Sequence, residues 1–145
     1  MTQPARNALP CKHLPCKHLS VSIPQPFELV NAFLSDPANW TQWASGLGEM
    51  QFDAGSGAWT AQQKGVGVVT IDFTPPNVFG ILDHRVTLPD GSTVIMPARA
   101  IANGDSTEVV FTLFRQPGMD EATWKRDEEW VKGDLERLHD LLAPH

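Results

Sequence analysis

The sequence predicts an α+β domain: an antiparallel sheet packed on one long C-terminal helix, with two short helices after the first strand. Three observations predict it. The stretch from Gly48 to Arg115 alternates apolar and polar residues between strong turn signals. The stretch from Asp120 to Leu142 has helical periodicity throughout. Only one short strand and two short helical runs precede them.

His18 to Ile23 sets Leu19, Val21 and Ile23 against Ser20 and Ser22, the pattern of a half-buried strand. Pro24 and Pro26 end it. Phe27 to Leu34 has apolar residues at helical spacing, and Pro26 suits the turn that opens a helix. Asp36-Pro37 restarts a second short helix through Trp40 and Trp43, which Gly46 closes. The expected strands then run Glu49–Asp53, Ala58–Gln63, Val66–Phe73, Ile81–Leu88, Thr93–Ala102 and Thr107–Arg115. Lys64-Gly65, Pro89-Asp90-Gly91 and Asn103-Gly104 are turn signals, so consecutive hairpins form an antiparallel meander. On the last helix Trp124, Val131, Leu135, Leu138 and Leu142 form one stripe, with Leu141 at its flank. Lys125, Glu129, Lys132, Glu136 and Asp140 lie opposite, and Glu128 and Lys132 make an i, i+4 pair. At 1.5 Å per residue this helix is roughly 34 Å long, enough to cross a small sheet.

Turn chemistry fixes the expected faces. Pro89-Asp90-Gly91 as a three-residue loop sets Leu88 opposite Ser92 and His84 opposite Met96. Asn103-Gly104 as a two-residue loop pairs Ala102 with Asp105, and hence Arg99 with Glu108. One face then carries Leu82, His84, Met96, Ala98, Ala100 and Phe111, and is the buried one. His84 is the titratable group this register puts inside, either as a neutral core histidine bonded to a backbone carbonyl or as a general acid/base. Asp127 and Asp134 lie on the shoulder of the helical stripe, as edge ion pairs or as groups at a cavity mouth. Ile95, Ile101, Val110 and Phe114 fall on the outer face, where they could serve a homodimer.

The N-terminus carries a local repeat. Residues 10–14 read Pro-Cys-Lys-His-Leu and residues 15–19 repeat it. Cys11, His13, Cys16 and His18 are soft or borderline metal ligands, but the Cys-x-His-x2-Cys-x-His spacing matches no known zinc pattern. The expectation is a flexible arm over 1–17 with no metal, followed by a single domain over 18–145.

Composition narrows the function classes. A net charge of -6 opposes a non-specific nucleic-acid binder. No apolar run reaches the ~20 residues that span a bilayer. The first residues lack a secretory apolar core, which predicts a cytoplasmic protein with reduced cysteines. No Walker, Rossmann, zinc or serine-nucleophile pattern occurs, and no cofactor is expected.

Several stretches also resemble a known superfamily. Leu19–Ile23 followed by Pro26-Phe27-Glu28-Leu29-Val30, then Asn39-Trp40 to Trp43-Ala44-Ser45-Gly46-Leu47, are similar to the first strand and helices of START-like (SRPBCC) proteins. Asn77-Val78-Phe79-Gly80-Ile81-Leu82-Asp83-His84, Phe111-Thr112-Leu113-Phe114-Arg115 and Asp134-Leu135 through Leu138 resemble a bacterial, polyketide cyclase/dehydrase-like branch. The superfamily also includes the Bet v 1-like proteins. The resemblance covers about residues 18 to 142. It implies a helix-grip fold, a curved antiparallel sheet wrapped around the long C-terminal helix, with a cavity between sheet and helix for a lipid- or polyketide-like molecule. Residues expected to line it are Trp43, Trp59, Ile71, His84, Met96, Phe111, Trp124, Asp127 and Val131. Some relatives are cyclases or dehydratases, and His84 is the candidate acid/base for such chemistry. No defining catalytic set carries over, and tyrosine, a common acid/base group, is absent. A protein-interaction module with a vestigial cavity is the other reading.

Overall fold

The computed structural model describes residues 13–144. The elements are β1 (Cys16–Ile23), α1 (Phe27–Leu34), a 3-10 helix (Pro37–Gln42), β2 (Gln51–Asp53), β3 (Ala58–Gln63), β4 (Gly67–Phe73), β5 (His84–Thr87), β6 (Thr93–Met96), β7 (Ala98–Asn103), β8 (Ser106–Phe114) and α2 (Glu121–Leu142). All strand pairings are antiparallel. They form a three-stranded sheet, β1-β8-β7, and a five-stranded meander, β2-β3-β4-β5-β6. This is the helix-grip arrangement expected from the element order.

The long helix starts where its cap dictates. The Asp120 carboxylate accepts the Thr123 N–H at 2.8 Å, an N-cap bond that satisfies one of the orphan donors of the first turn. Leu135 and Leu138 are fully buried on its inward stripe, with Val131 and Leu142 packed beside them. Glu128 does not pair with Lys132 as expected. It accepts Lys17 Nζ of β1 at 2.8 Å, which ties the helix to the sheet instead of stabilising the helix internally.

Other boundaries differ for local reasons. β1 begins at Cys16, inside the stretch expected to be arm, because Cys16 already pairs with Phe114. The second short helix is 3-10, with Pro37 at its start and Trp43 as its C-cap. The strand expected over Thr93–Ala102 is two strands. Pro97 has no N–H to continue the ladder, and its carbonyl accepts from Thr112. The strand expected from Ile81 begins at His84, and Ile81 forms only an isolated bridge to Arg99. Gly80 permits that bridge. Its φ is +75°, and a Cβ there would lie 2.0 Å from the Ala100 carbonyl oxygen.

The His84–Met96 register is as expected. The Arg99–Glu108 pairing is not. The loop is Gly104-Asp105, with Gly104 at φ +61° in its first position as in a type II′ turn. Asn103 therefore pairs with Ser106, Ile101 with Glu108 and Arg99 with Val110. A slip of two residues preserves the faces, so the inward set survives while the polar partners change. Arg99 instead makes a two-pronged pair with Asp83, at 3.1 and 2.9 Å.

Candidate functional site

The interior is built around aromatic rings. Trp40 stands at the centre: its ring is 4.8 Å from Trp43, 5.1 Å from Phe73, 4.9 Å from His84 and 6.1 Å from Phe111. Trp43 meets Phe111 edge-on at 5.9 Å, and His84 lies 6.1 Å from Phe111. Edge-to-face contacts at these separations suit the ring quadrupoles and add about 0.5–1.5 kcal/mol each beyond burial. Four elements bring these rings together: the 3-10 helix and its C-cap carry the indoles, β4 and β5 carry Phe73 and His84, and β8 carries Phe111.

Cross-strand register extends this cluster along the five-stranded sheet. Phe73, His84 and Met96 form one row across β4, β5 and β6. The next row on the same face runs Phe52, Trp59, Ile71, Val86, Val94. Of the residues expected to line a cavity, Trp43, His84, Met96 and Phe111 therefore stand together with Val131 in one core. Trp59 and Ile71 occupy the neighbouring row, where Trp59 packs on Phe52 at 5.2 Å and Ile71 joins a small cluster with Ala61 and Val69. Trp124 lies further along the helix, buried beneath Lys17 Nζ at 5.0 Å from its ring centroid. Asp127 is one helical turn on from Trp124 and half-buried. Trp40 and Phe73 were missing from the expected set. Their signal was weak, since Trp40 sits in a short helix with no face assignment and Phe73 at a strand end.

The polar groups in this interior are few. His84 is buried, with Nδ1 3.0 Å from the Leu82 carbonyl oxygen. Burial pushes the His84 pKa down from 6.5, against the Leu82 carbonyl and the neighbouring Asp83. The ring is thus held neutral, and when Nδ1 donates to Leu82 O, Nε2 is left as an acceptor. The Trp40 indole N–H donates to Leu34 O at 2.9 Å. The Trp43 indole N–H is buried and has no acceptor among the described residues. Outside, the Arg99 guanidinium holds the Asp83 carboxyl below the ordinary carboxylate range, with help from the Ala98 N–H and against burial.

The segment carrying Trp43 is clamped by the long helix. Asp134 is buried and accepts from Ser45 N at 3.0 Å and Ser45 Oγ at 2.7 Å, and it pairs with Arg137. Arg137 Nε donates to Trp43 O at 3.1 Å, and Trp130 Nε1 donates to Ser45 O at 3.0 Å. Asp134 is thus a clamp rather than a group open to a cavity mouth. Gly46 is required here, since its φ is +80° and a Cβ would stand 2.5 Å from Trp130 Cζ2.

Two open concavities occur among the described residues, the second at the edge of the aromatic cluster. One, of about 540 Å³, runs between α1 and the loop at Pro76–Val78, with Phe27, Asn31 and Ala32 in its wall. The other, of about 270 Å³, is bordered by Phe73, His84, Asp83, Arg85 and Ile95. The first is larger but contains none of the expected site residues. The aromatic cluster carries the buried polar chemistry and is the candidate site.

Comparison with known proteins agrees with this architecture. No family model matches the chain, and no curated protein matches it. Among solved structures, a START superfamily protein from Mycobacterium smegmatis superposes with a TM-score of 0.68 at 13% identity, covering 88% of this chain and 96% of that one. The Zhui aromatase/cyclase from Streptomyces sp. R1128 gives 0.64 at 18% identity, covering 90% and 94%. Ara h 8.0201 gives 0.64 at 12% identity, covering 90% and 98%. With antiparallel sheets gripping a single long C-terminal helix, the chain shares the helix-grip fold of these three proteins.

Proposed function

We propose that the protein binds a small hydrophobic molecule beside the aromatic cluster, between sheet and long helix, with Trp43 Nε1–H and His84 as its polar anchors. The observation that carries this is the buried Trp43 indole N–H without an acceptor among the described residues. Leaving such a donor unpaired costs about 1–3 kcal/mol. An apolar body bearing a carbonyl or phenolic oxygen would recover that loss on binding. The neutral His84 suits the phenolic form of this ligand, whose hydroxyl can donate to Nε2 while its oxygen accepts from Trp43; burial disfavours the charged imidazolium. The rows from Trp59 to Met96 offer apolar area of the kind ligand sites use. An aromatase/cyclase shares the fold, which makes a planar, polyketide-like molecule the first class to test.

The test is titration of the full chain with 2-acetylnaphthalene, followed by quenching of tryptophan fluorescence, alongside native mass spectrometry of freshly purified protein. Trp43→Phe should weaken binding about tenfold, the worth of one recovered hydrogen bond. The same variant should fold as well as the parent or better, since it deletes an unpaired buried donor. Equal affinity for the variant and the parent overturns the anchoring role. Absence of both saturable quenching and any co-purified apolar molecule overturns the binding reading.

A further inference from the structure

Cys11 of the first pentapeptide copy lies outside the described residues, and among those described no group of three or more metal ligands is assembled. The larger concavity, beside α1, carries more. It holds about 540 Å³, within the range of small-molecule sites, and the aromatic cluster takes no part in its wall. Its apolar lining comes from Phe27 and Ala32 of α1 and from Pro76 and Val78 of the loop opposite. Val78 is 79% exposed, which leaves apolar area for an occupant to cover.

The two walls are fixed before anything binds. Asn77 Oδ1 accepts the N–H groups of Phe79 at 3.0 Å and Ile81 at 3.1 Å, and Asn77 Nδ2 donates to Ile81 O at 2.9 Å. Asn31 of α1 ties that loop to the helix, its Nδ2 donating to Asn77 O at 2.8 Å. Oδ1 of the same carboxamide is buried and has no donor among the described residues. A buried acceptor without a donor is uncommon and calls for a partner. Asn31 lines the concavity, so a donor seated there needs only a small turn of the carboxamide to meet Oδ1. The rim adds charge of one sign. Glu28 and Asp36 border it, and neither makes an ion pair among the described residues. No described lysine, arginine or histidine lines it. The polar lining therefore favours a ligand that donates hydrogen bonds and carries positive charge.

We propose that this concavity binds a protonated primary amine carried on a small apolar body. The ammonium sits between the Glu28 and Asp36 carboxylates and donates to Asn31 Oδ1, while the apolar body rests on Phe27, Ala32, Pro76 and Val78. An ammonium has three N–H donors, so one serves Oδ1 while the others face the carboxylates. Walls that are already tied together lose little freedom on binding. The site is separate from the aromatic cluster and does not depend on the ligand proposed there.

The experiment is titration of the full isotope-labelled chain with 2-phenylethylammonium near neutral pH, followed by amide chemical shifts. The expected result is saturable shifts at Ala32, Asn77 and Val78, with Trp43 and His84 unmoved. 2-Phenylethanol keeps the apolar body without the charge and should bind at least about fivefold more weakly. The N,N,N-trimethyl analogue keeps the charge without any N–H and should also lose about fivefold, the worth of one hydrogen bond. The donor is varied on the ligand because replacing Asn31 would also cut its tie to Asn77. Glu28→Gln/Asp36→Asn should weaken 2-phenylethylammonium binding about fivefold. Both side chains are exposed, and asparagine at position 36 can still accept the Ala38 N–H, so circular dichroism should show this variant folded. Absence of saturable shifts at the concavity overturns the site, as does equal affinity for the alcohol or unchanged affinity in the double variant. A trimethyl analogue that binds as tightly as the primary amine overturns the bond to Asn31.

Discussion

The two sheets have the same strand chemistry and different fates. Both alternate apolar and polar residues, but only β1-β8-β7 is fully backed, by α1, the 3-10 helix and the C-terminal half of α2. Its core contains Ile23, Val30, Val109 and Leu138, each with no exposed surface. The outer half of the meander, β2-β3-β4, buries a smaller set, Ala61, Val69 and Ile71, and leaves Phe52 and Val68 more than half exposed. Alternation specifies which face turns inward. How much stability that face contributes depends on what covers it.

The largest expected effect tests this contrast directly. Leu138→Ala removes a side chain enclosed on all sides and should cost about 3–5 kcal/mol, read as a fall in the urea midpoint. Ile71→Ala, in the thinner cluster, should fall nearer 2 kcal/mol, because its surroundings can close over the gap. Equal losses would show that the meander is as tightly packed as the helix-backed sheet, and the contrast would fail.

The next effect concerns how the helix holds the segment between the two sheets. Asp134→Ala leaves the Ser45 N–H and hydroxyl without their shared acceptor. Hydrogen bonds to charged groups contribute about 1.5–3 kcal/mol, so a loss of about 2 kcal/mol is expected. Amide exchange at Ser45 should accelerate at the same time. A stability loss without faster exchange at Ser45 would place the cost in the helix itself rather than in the clamp.

What could be read from the sequence divides along the same line. Local patterns were sufficient for the long helix, for α1 and for the Leu88–Ser92 hairpin, where Pro89-Asp90-Gly91 fixes the register. The inward positions of His84, Met96 and Phe111 followed from that register. Contacts between distant segments were not legible. Asp134 meets Ser45 across 89 positions, and nothing near either residue announces the pairing. Arg99 was assigned to Glu108 because Asn-Gly and Gly-Asp loops differ by two residues, a shift that alternation cannot detect. Its real partner, Asp83, comes from the segment before β5, and the Asp83 carboxylate also accepts the Ala98 N–H. Trp43, His84, Met96 and Phe111 were expected residue by residue, but Trp40, which joins them, was not, since it touches Trp43 and three rings from three strands.

His84 provides a pH test at the junction of the two regions. Its folded-state pKa lies below 6.5 because burial disfavours the imidazolium, while the unfolded chain titrates near the ordinary value. Below about pH 6.5 the unfolded state therefore binds more protons, and stability falls as pH falls. Above that value this contribution is fully present. His84→Gln should flatten the stability profile between about pH 7 and pH 5 relative to the parent. An unchanged slope would mean that the imidazole is hydrated in the folded state and that the aromatic cluster is open to water.

The smallest effect separates the two halves of α2. Leu135 and Leu138 dock the C-terminal half into the main core, whereas Trp124 and Asp127 lie over a less enclosed region. Burial raises the Asp127 pKa above 3.8, with Arg126 as a partial counterweight. A raised carboxyl pKa means that the folded state binds protons more readily than the unfolded one. This contribution therefore makes the protein less stable at neutral pH, and the penalty is relieved as pH falls through the folded pKa. Asp127→Asn should remove it and raise the urea midpoint slightly at pH 7, by an amount within the ~0.5 kcal/mol usual for partly exposed positions. At pH 3 the parent and the variant should be equal in stability. If Asp127→Asn destabilises at pH 7, the carboxylate has a favourable partner there, and the N-terminal half of the helix is held by a polar contact rather than by Trp124 alone.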